Sequence, residues 1–157
     1  MTTDITPLLA SRLLERGWMM ATAESCTGGL ISAHCTELAG SSFWFERGFV
    51  TYSNTAKTEL LGVEPLLIER DGAVSESVAK AMAWGAFDRS KAQVSVAVTG
   101  IAGPGGGSIE KPVGTVWLAW CIEGLTSAEK HCFSGSRTQV RDATVQCALE
   151  GLYQRLL

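Results

Sequence analysis

The segment AGSSFWFERGFVTYSNTAK, residues 39–57, offers hydroxyls and one amine but no histidine. Its reactive pair is Ser42 and Lys57. A serine hydroxyl attacks a carbonyl only if a base takes its proton, and a lysine can be that base once burial or a nearby cation lowers its pKa. Lys57 falls in the first turn of an expected helix, where the dipole disfavours a cation, and aromatics dominate the residues before it. Tyr52 stands where it could relay a proton or orient the amine. The competing account is plain: serines in GSS turns commonly cap or bend the chain, and lysines on short helices are commonly solvated. Spacing leaves both open.

Two glycine-bearing stretches offer backbone donors. TGIAGPGGG (99–107) leaves an expected central strand, and Thr99, Gly100, Gly103 and Gly105 would let N–H groups come close to an oxyanion or phosphate. It is neither GxGxxG nor a Walker A loop, because no GK[ST] follows. The alternative is a flexible hairpin connection. AESCTGG (23–29) stands in the same relation to an earlier strand. Ser25 and Thr27 are good helix caps; with Gly28 they also make an anion-binding helix start, Ser25 donating to the substrate.

Cys26, beside that start, is a second nucleophile to weigh. The only histidines, His34 and His131, fit no Cys–His signature, so Cys26 reads as a buried structural thiol. Two histidines and five scattered cysteines, none in a CxxC, give no standard ligand spacing, and no metal is expected. In FSGSRTQVR (133–141), Ser136 is a natural cap, and Arg137 and Arg141 share a helical face. Arginine early in a helix opposes the dipole unless an anion is near, which suits a phosphate or carboxylate partner; surface pairing with Asp142 or Glu150 is the alternative.

The elements that would hold these groups follow from periodicity. Pro7 and Gly17 bracket an amphipathic helix with Ile5, Leu9 and Leu13 on one face. WMMATA (18–23) reads as a strand, a second helix covers about 30–38, and GFVTYS (48–53) is a strand. NTAKTELLG (54–62) is an Asn-capped helix closed by glycine, and a short helix covers 65–70. Residues 75–90 form a helix capped by Ser75, and 93–100 a central strand. Residues 113–122 and 127–135 pair as a hairpin turning near Glu123-Gly124, and a long helix covers 137–156. Strands separated by helices early and a hairpin late predict an α/β fold, a mixed sheet with helices on both faces in one domain spanning 1–157.

Composition narrows the function. The 157 residues are 46% hydrophobic and 18% charged, with a net charge of −3, so a sizeable core is affordable and no basic field recruits nucleic acid. The first residues carry acid and interrupted apolar positions, unlike a secretion signal, and no apolar run reaches the ~20 residues of a membrane span. The cysteines read as reduced thiols, giving an expected cytoplasmic location with neither nucleic-acid nor membrane partners.

Taken in order, AESCTGG, AGSSFWFERGFVTYSNTAK with LGV behind it, GAVSE, TGIAGPGGG, KPVGTVW and CFSGSR resemble the competence/damage-inducible (CinA) C-terminal family, whose standalone bacterial members include nicotinamide-nucleotide amidases. The resemblance runs from about residue 5 to 157. It implies a three-layer α/β/α sandwich with a mixed, mostly parallel sheet, like anticodon-binding domains. It further implies hydrolysis of nicotinamide mononucleotide to nicotinate mononucleotide and ammonia, with no metal or organic cofactor, in a homodimer. Carried onto this chain, the nucleophile is Ser42 and the base Lys57, supported by Tyr52. Ser25 and Thr99 line the site, and Arg137, with Arg141 as the alternative, binds the substrate's phosphate. A non-catalytic nucleotide-binding paralogue, or an amidase for another amide, would keep the same motifs.

Overall fold

A computed structural model describes residues 3–157. Its first helix, α1 (Thr6–Arg16), starts where the Asp4 carboxylate accepts from the Thr6 N–H and hydroxyl at 3.0 and 2.7 Å, and stops at Gly17 with φ of 65°. Strand β1 (Met20–Glu24) is buried at every position and leads through a turn into α2 (Leu30–Thr36). A 3-10 turn at Ser41–Phe43 precedes β2 (Phe45–Val50). Helices α3 (Asn54–Leu61), α4 (Pro65–Asp71) and α5 (Glu76–Asp88) then lead to β3 (Val94–Gly100). The hairpin β4 (Thr115–Ile122) and β5 (Leu125–Cys132) turns at Glu123 and Gly124, both at positive φ, and the long α6 (Arg137–Arg155) follows.

The five strands lie in the order β2-β1-β3-β4-β5. β1 pairs in parallel with β2 and β3, whereas β4 is antiparallel to both β3 and β5. Only β4 therefore runs against the rest, and the mixed, mostly parallel sheet is as expected. The two faces divide by alternation. Val94, Val96 and Val98 of β3, with Val116, Leu118 and Trp120 of β4, pack under α1, α2 and α6. Ala97, Ala119 and Cys121 face the opposite layer and meet Ala79, Met82, Ala83 and Ala86 of α5. Small side chains on both sides let α5 approach closely enough for the Ser95 hydroxyl to donate to Ala83 O at 2.6 Å. Gly85 is required there, because a Cβ would run into the Leu61 carbonyl of α3.

Several boundaries differ from the periodicity reading: β5, for example, runs Leu125–Cys132 rather than 127–135. β2 begins at Phe45 rather than Gly48 and ends before Thr51, so Thr51-Tyr52 form a connection, not strand. The cap of α3 is Ser53, whose side chain accepts from Ala56 N, and Asn54 is the first helical residue. The 3-10 turn holding Ser42 has no periodic signal in the sequence. No helix among the described residues is long and apolar enough to cross a membrane.

The crossover from β1 to β2 places α2 on one face, and that from β2 to β3 places α5 on the other. In open α/β sheets this reversal opens a crevice beyond the carboxyl ends of the strands. Here it lies past Glu24, Val50 and Gly100.

Candidate active site

A cleft of about 310 Å³ occupies that crevice, lined among others by Ser25, Tyr52, Asn54, Lys57, Thr99 and Arg137. Ser25 leaves β1, and its N–H donates to Val98 O of β3 at 3.1 Å, so the backbone there continues the ladder for one more residue. Its side chain is 8% exposed.

Lys57 comes from the first turn of α3 and is 1% exposed. Its Nζ donates to Ser25 Oγ at 3.1 Å, Thr51 O at 3.2 Å and Tyr52 O at 3.3 Å. Its three partners are a hydroxyl and two carbonyls, with no carboxylate among them. Burial therefore lowers the lysine's pKa from its ordinary value.

The turn that carries Ser25 is fixed by Glu24, the last residue of β1 and fully buried. Its Oε1 accepts from Thr27 Oγ1 at 2.6 Å and Ile31 N at 2.8 Å; its Oε2 accepts from Ser32 N at 3.0 Å and Ser32 Oγ at 2.7 Å. A buried carboxylate needs such a shell of donors, and this shell welds β1 to the start of α2. Arg141 closes the same turn from α6, donating through Nε to Cys26 O and through Nη2 to Thr27 O, each at 3.1 Å.

The glycine loop forms the far wall. Gly100, Gly103 and Gly105 line the cleft. Gly100 also admits β4: a Cβ there would stand 2.6 Å from Val116 Cγ2 and 2.9 Å from Thr115 O. The loop is anchored rather than floppy. Ile101 N donates to Thr115 O, Gly114 N to Ile101 O, and Lys111 Nζ crosses to Asp71 O at 3.1 Å. The N–H groups of Ala102, Gly103, Gly105, Gly106 and Gly107 donate to no protein acceptor among the described residues. Arg137 donates through Nη1 to Gly103 O at 2.8 Å and through Nη2 to the Tyr52 hydroxyl at 3.5 Å, its guanidinium bridging the loop and the mouth of the cleft.

The structure brings some of the expected site residues together and keeps others apart. Ser42 does not meet Lys57. It is exposed on the 3-10 turn before β2, whereas Lys57 follows the other end of that strand, and the six strand residues span roughly 20 Å at ~3.3 Å each. Ser25 takes the place beside the lysine. Tyr52 presents its carbonyl to the amine, and its side chain turns outward to Arg137. Thr27 is fully buried on Glu24, and Gly28, at φ of 57°, shapes the turn; neither lines the cleft. Thr99 lines the cleft while its hydroxyl donates to Ala73 O at 2.9 Å. Arg141 spends its donors on the turn that follows Ser25, leaving Arg137 as the arginine that lines the cleft. Cys26 is buried, which pushes its thiol up to about 11, a protonated and unreactive state near neutrality.

Two residues escape the sequence reading. Glu24 lies unremarked in the AESCTGG turn, and Asn54 reads as a cap. One signal distinguishes Ser25 from Ser42: Ser25, Lys57 and Thr99 end or follow strands, whereas Ser42 precedes one.

The CinA C-terminal domain model matches residues 2–156. The chain is 51% identical over 148 residues to the nicotinamide-nucleotide amidohydrolase PncC of Escherichia coli K12, covering 92% of this chain and 88% of that protein. It is 51% identical over 149 residues to a CinA-like protein of Syntrophobacter fumaroxidans, covering 95% of this chain but 35% of that relative, so it spans about a third of the longer protein's length. The crystal structure of competence/damage inducible protein CihA from Agrobacterium tumefaciens superposes with a TM-score of 0.93 at 49% identity, covering 99% of this chain and 96% of that one. A competence damage-inducible protein A from Klebsiella pneumoniae gives 0.94 at 37% identity, covering 98% and 95%. The chain belongs to the CinA C-terminal domain family.

Proposed function

We propose that this protein hydrolyses the carboxamide of nicotinamide mononucleotide, releasing ammonia and nicotinate mononucleotide, with Ser25 as nucleophile and Lys57 as base. The observation that carries the reading is the 3.1 Å approach of a buried, carboxylate-free lysine amine to a serine hydroxyl in the cleft. The similarity to PncC, at high coverage of both chains, supports the substrate.

A neutral Lys57 amine fits its surroundings group for group. Once the ammonium that donates to Ser25 Oγ loses a proton, its two remaining N–H bonds serve Thr51 O and Tyr52 O, and its lone pair is left to accept from the Ser25 O–H. Ser25 Oγ then attacks the amide carbon as its proton passes to Nζ. The C=O electrons move to oxygen, and the free N–H groups of the 102–107 loop are placed to receive an oxyanion or the substrate's phosphate. The Lys57 ammonium returns the proton to the departing nitrogen, and ammonia leaves as the C–N bond breaks. Water attacks the resulting ester with Lys57 again as base, regenerating Ser25. Arg137, at the mouth, pairs with the phosphate through its planar fork.

Ammonia release from nicotinamide mononucleotide tests this. Wild type should turn over and Ser25→Ala should not; an active Ser25→Ala would remove the nucleophile.

A further inference from the structure

Away from the cleft, the face of β5 turned toward α6 carries a polar row where the neighbouring strand β4 is apolar. Glu129 and His131 are adjacent on it, and Cys147 reaches down from α6. The three offer His131 Nε2, a Glu129 carboxylate oxygen and Cys147 Sγ, all within 4.8 Å of one another. We propose that Glu129, His131 and Cys147 bind a divalent transition-metal ion of borderline softness, zinc above all, and that this ion clamps β5 to α6.

The spacing suits tetrahedral coordination. With Zn–N and Zn–O near 2.05 Å and Zn–S near 2.3 Å, tetrahedral edges are about 3.3 Å between nitrogen and oxygen and about 3.6 Å between nitrogen and sulfur. Here Nε2 lies 3.0 Å from Glu129 Oε2 and 3.5 Å from Cys147 Sγ. Both edges from the imidazole thus match within a few tenths of an ångström, and the third, from carboxylate oxygen to sulfur, lies within 4.8 Å and closes as the ion draws its ligands in.

The surroundings also suit an ion. Phe133 stacks on the His131 ring at 5.4 Å with an interplanar angle of 8°, which holds the imidazole plane. Arg155 donates to Glu129 Oε1 at 3.3 Å, dividing the carboxylate so that Oε2 remains for the ion. Such partners orient ligands in metal sites. Burial, with the charges of Glu129 and Glu150, pushes the Cys147 thiol up to about 11, so binding must expel its proton to solvent. Once it has left, thiolate and carboxylate together balance the two positive charges. A set of one carboxylate, one imidazole and one thiolate is poor for magnesium or calcium and good for zinc or cobalt(II). The exposed side of the cluster leaves a fourth position for water.

Metal-free protein titrated with Co2+ tests the site. One equivalent should give a thiolate-to-cobalt charge-transfer band and tetrahedral d–d absorption, both displaced by Zn2+. Calorimetry should show each of Cys147→Ser and His131→Gln weakening Zn2+ binding by at least ~10-fold, while Cys132→Ser binds as wild type. The proposal is overturned if wild type gives no thiolate band, if Cys147→Ser keeps band and affinity, or if Cys132→Ser abolishes them. The wild-type titration decides even if a variant folds poorly.

Discussion

Lys57 Nζ lies 3.1 Å from Ser25 Oγ although 32 residues separate them, because parallel neighbours β1 and β2 deliver both to the same end of the sheet. The local sequence contains a nearer serine, Ser42, and the topology carries it to the opposite end.

This arrangement sets the first expected outcome. Lys57→Ala should lower kcat for ammonia release by ~10²–10⁴-fold as an acid–base group is lost, and Ser25→Ala by at least as much. Ser42→Ala should stay within about twofold, as an exposed substitution away from the site does. Steady-state kinetics on folded variants decides; a Ser42→Ala enzyme as impaired as Ser25→Ala would restore the other serine.

Activity should rise with pH through a lysine pKa lower than usual. In the proposed mechanism the neutral amine is the base, and burial lowers the pH at which it forms. A kcat/KM profile should show an acid limb that is absent from the residual activity of Lys57→Ala. A flat profile through the neutral range would contradict the assignment.

Stability should carry the same signature. The folded pKa of Lys57 lies below the unfolded value of ~10.4. Between those two values the unfolded chain binds the extra proton, so the lysine's contribution improves as pH rises, by up to ~1.4 kcal/mol per unit. Below the folded pKa its cost is fully present. Lys57→Met removes this dependence, so denaturant unfolding should find the variant gaining on wild type as pH falls. Parallel curves would refute it.

Glu24→Gln should damage both fold and chemistry. The amide keeps one acceptor oxygen where the carboxylate's two satisfied four donors. Leaving buried donors unpaired costs about 1–3 kcal/mol, and the loosened turn should lower kcat more than it raises KM. Urea unfolding with steady-state kinetics separates the two effects; Glu24→Ala should be worse in both.

Arg137→Ala should raise KM for the mononucleotide about 10-fold or more, as loss of a charge-assisted contact does, with little change for nicotinamide riboside. Arg141→Ala should instead lower stability and kcat for both, since its donors hold Cys26 O and Thr27 O. Equal KM effects from the two variants would mean that both meet the phosphate.

Most of the fold was legible because local chemistry and global packing agree. Pro7 with Gly17, Gly62 after α3, and the Glu123-Gly124 turn mark boundaries that the chain obeys. The cleft was legible in outline, since Lys57, Thr99, Arg137 and the glycine loop meet there. The pairing of serine with lysine was not, because proximity in sequence says nothing about which end of a strand a residue occupies. Glu24 was hidden for a related reason: its four partners lie three to eight residues on, and only the folding of α2 against β1 gathers them. The Glu129, His131 and Cys147 cluster is likewise split between a strand and a helix, so its spacing resembles no motif.

Helix α6 joins features that look separate. At its start Arg137 touches the cleft and Arg141 braces the turn after Ser25; further along, Cys147 and Arg155 hold the hairpin edge. Its 19 residues make a rod of about 28 Å at ~1.5 Å per residue. A lever of that length converts a small tilt at the hairpin into a displacement at the arginines. The outer strand β5, remote from the reacting groups, is therefore a place where substitutions would change catalytic alignment without touching the cleft.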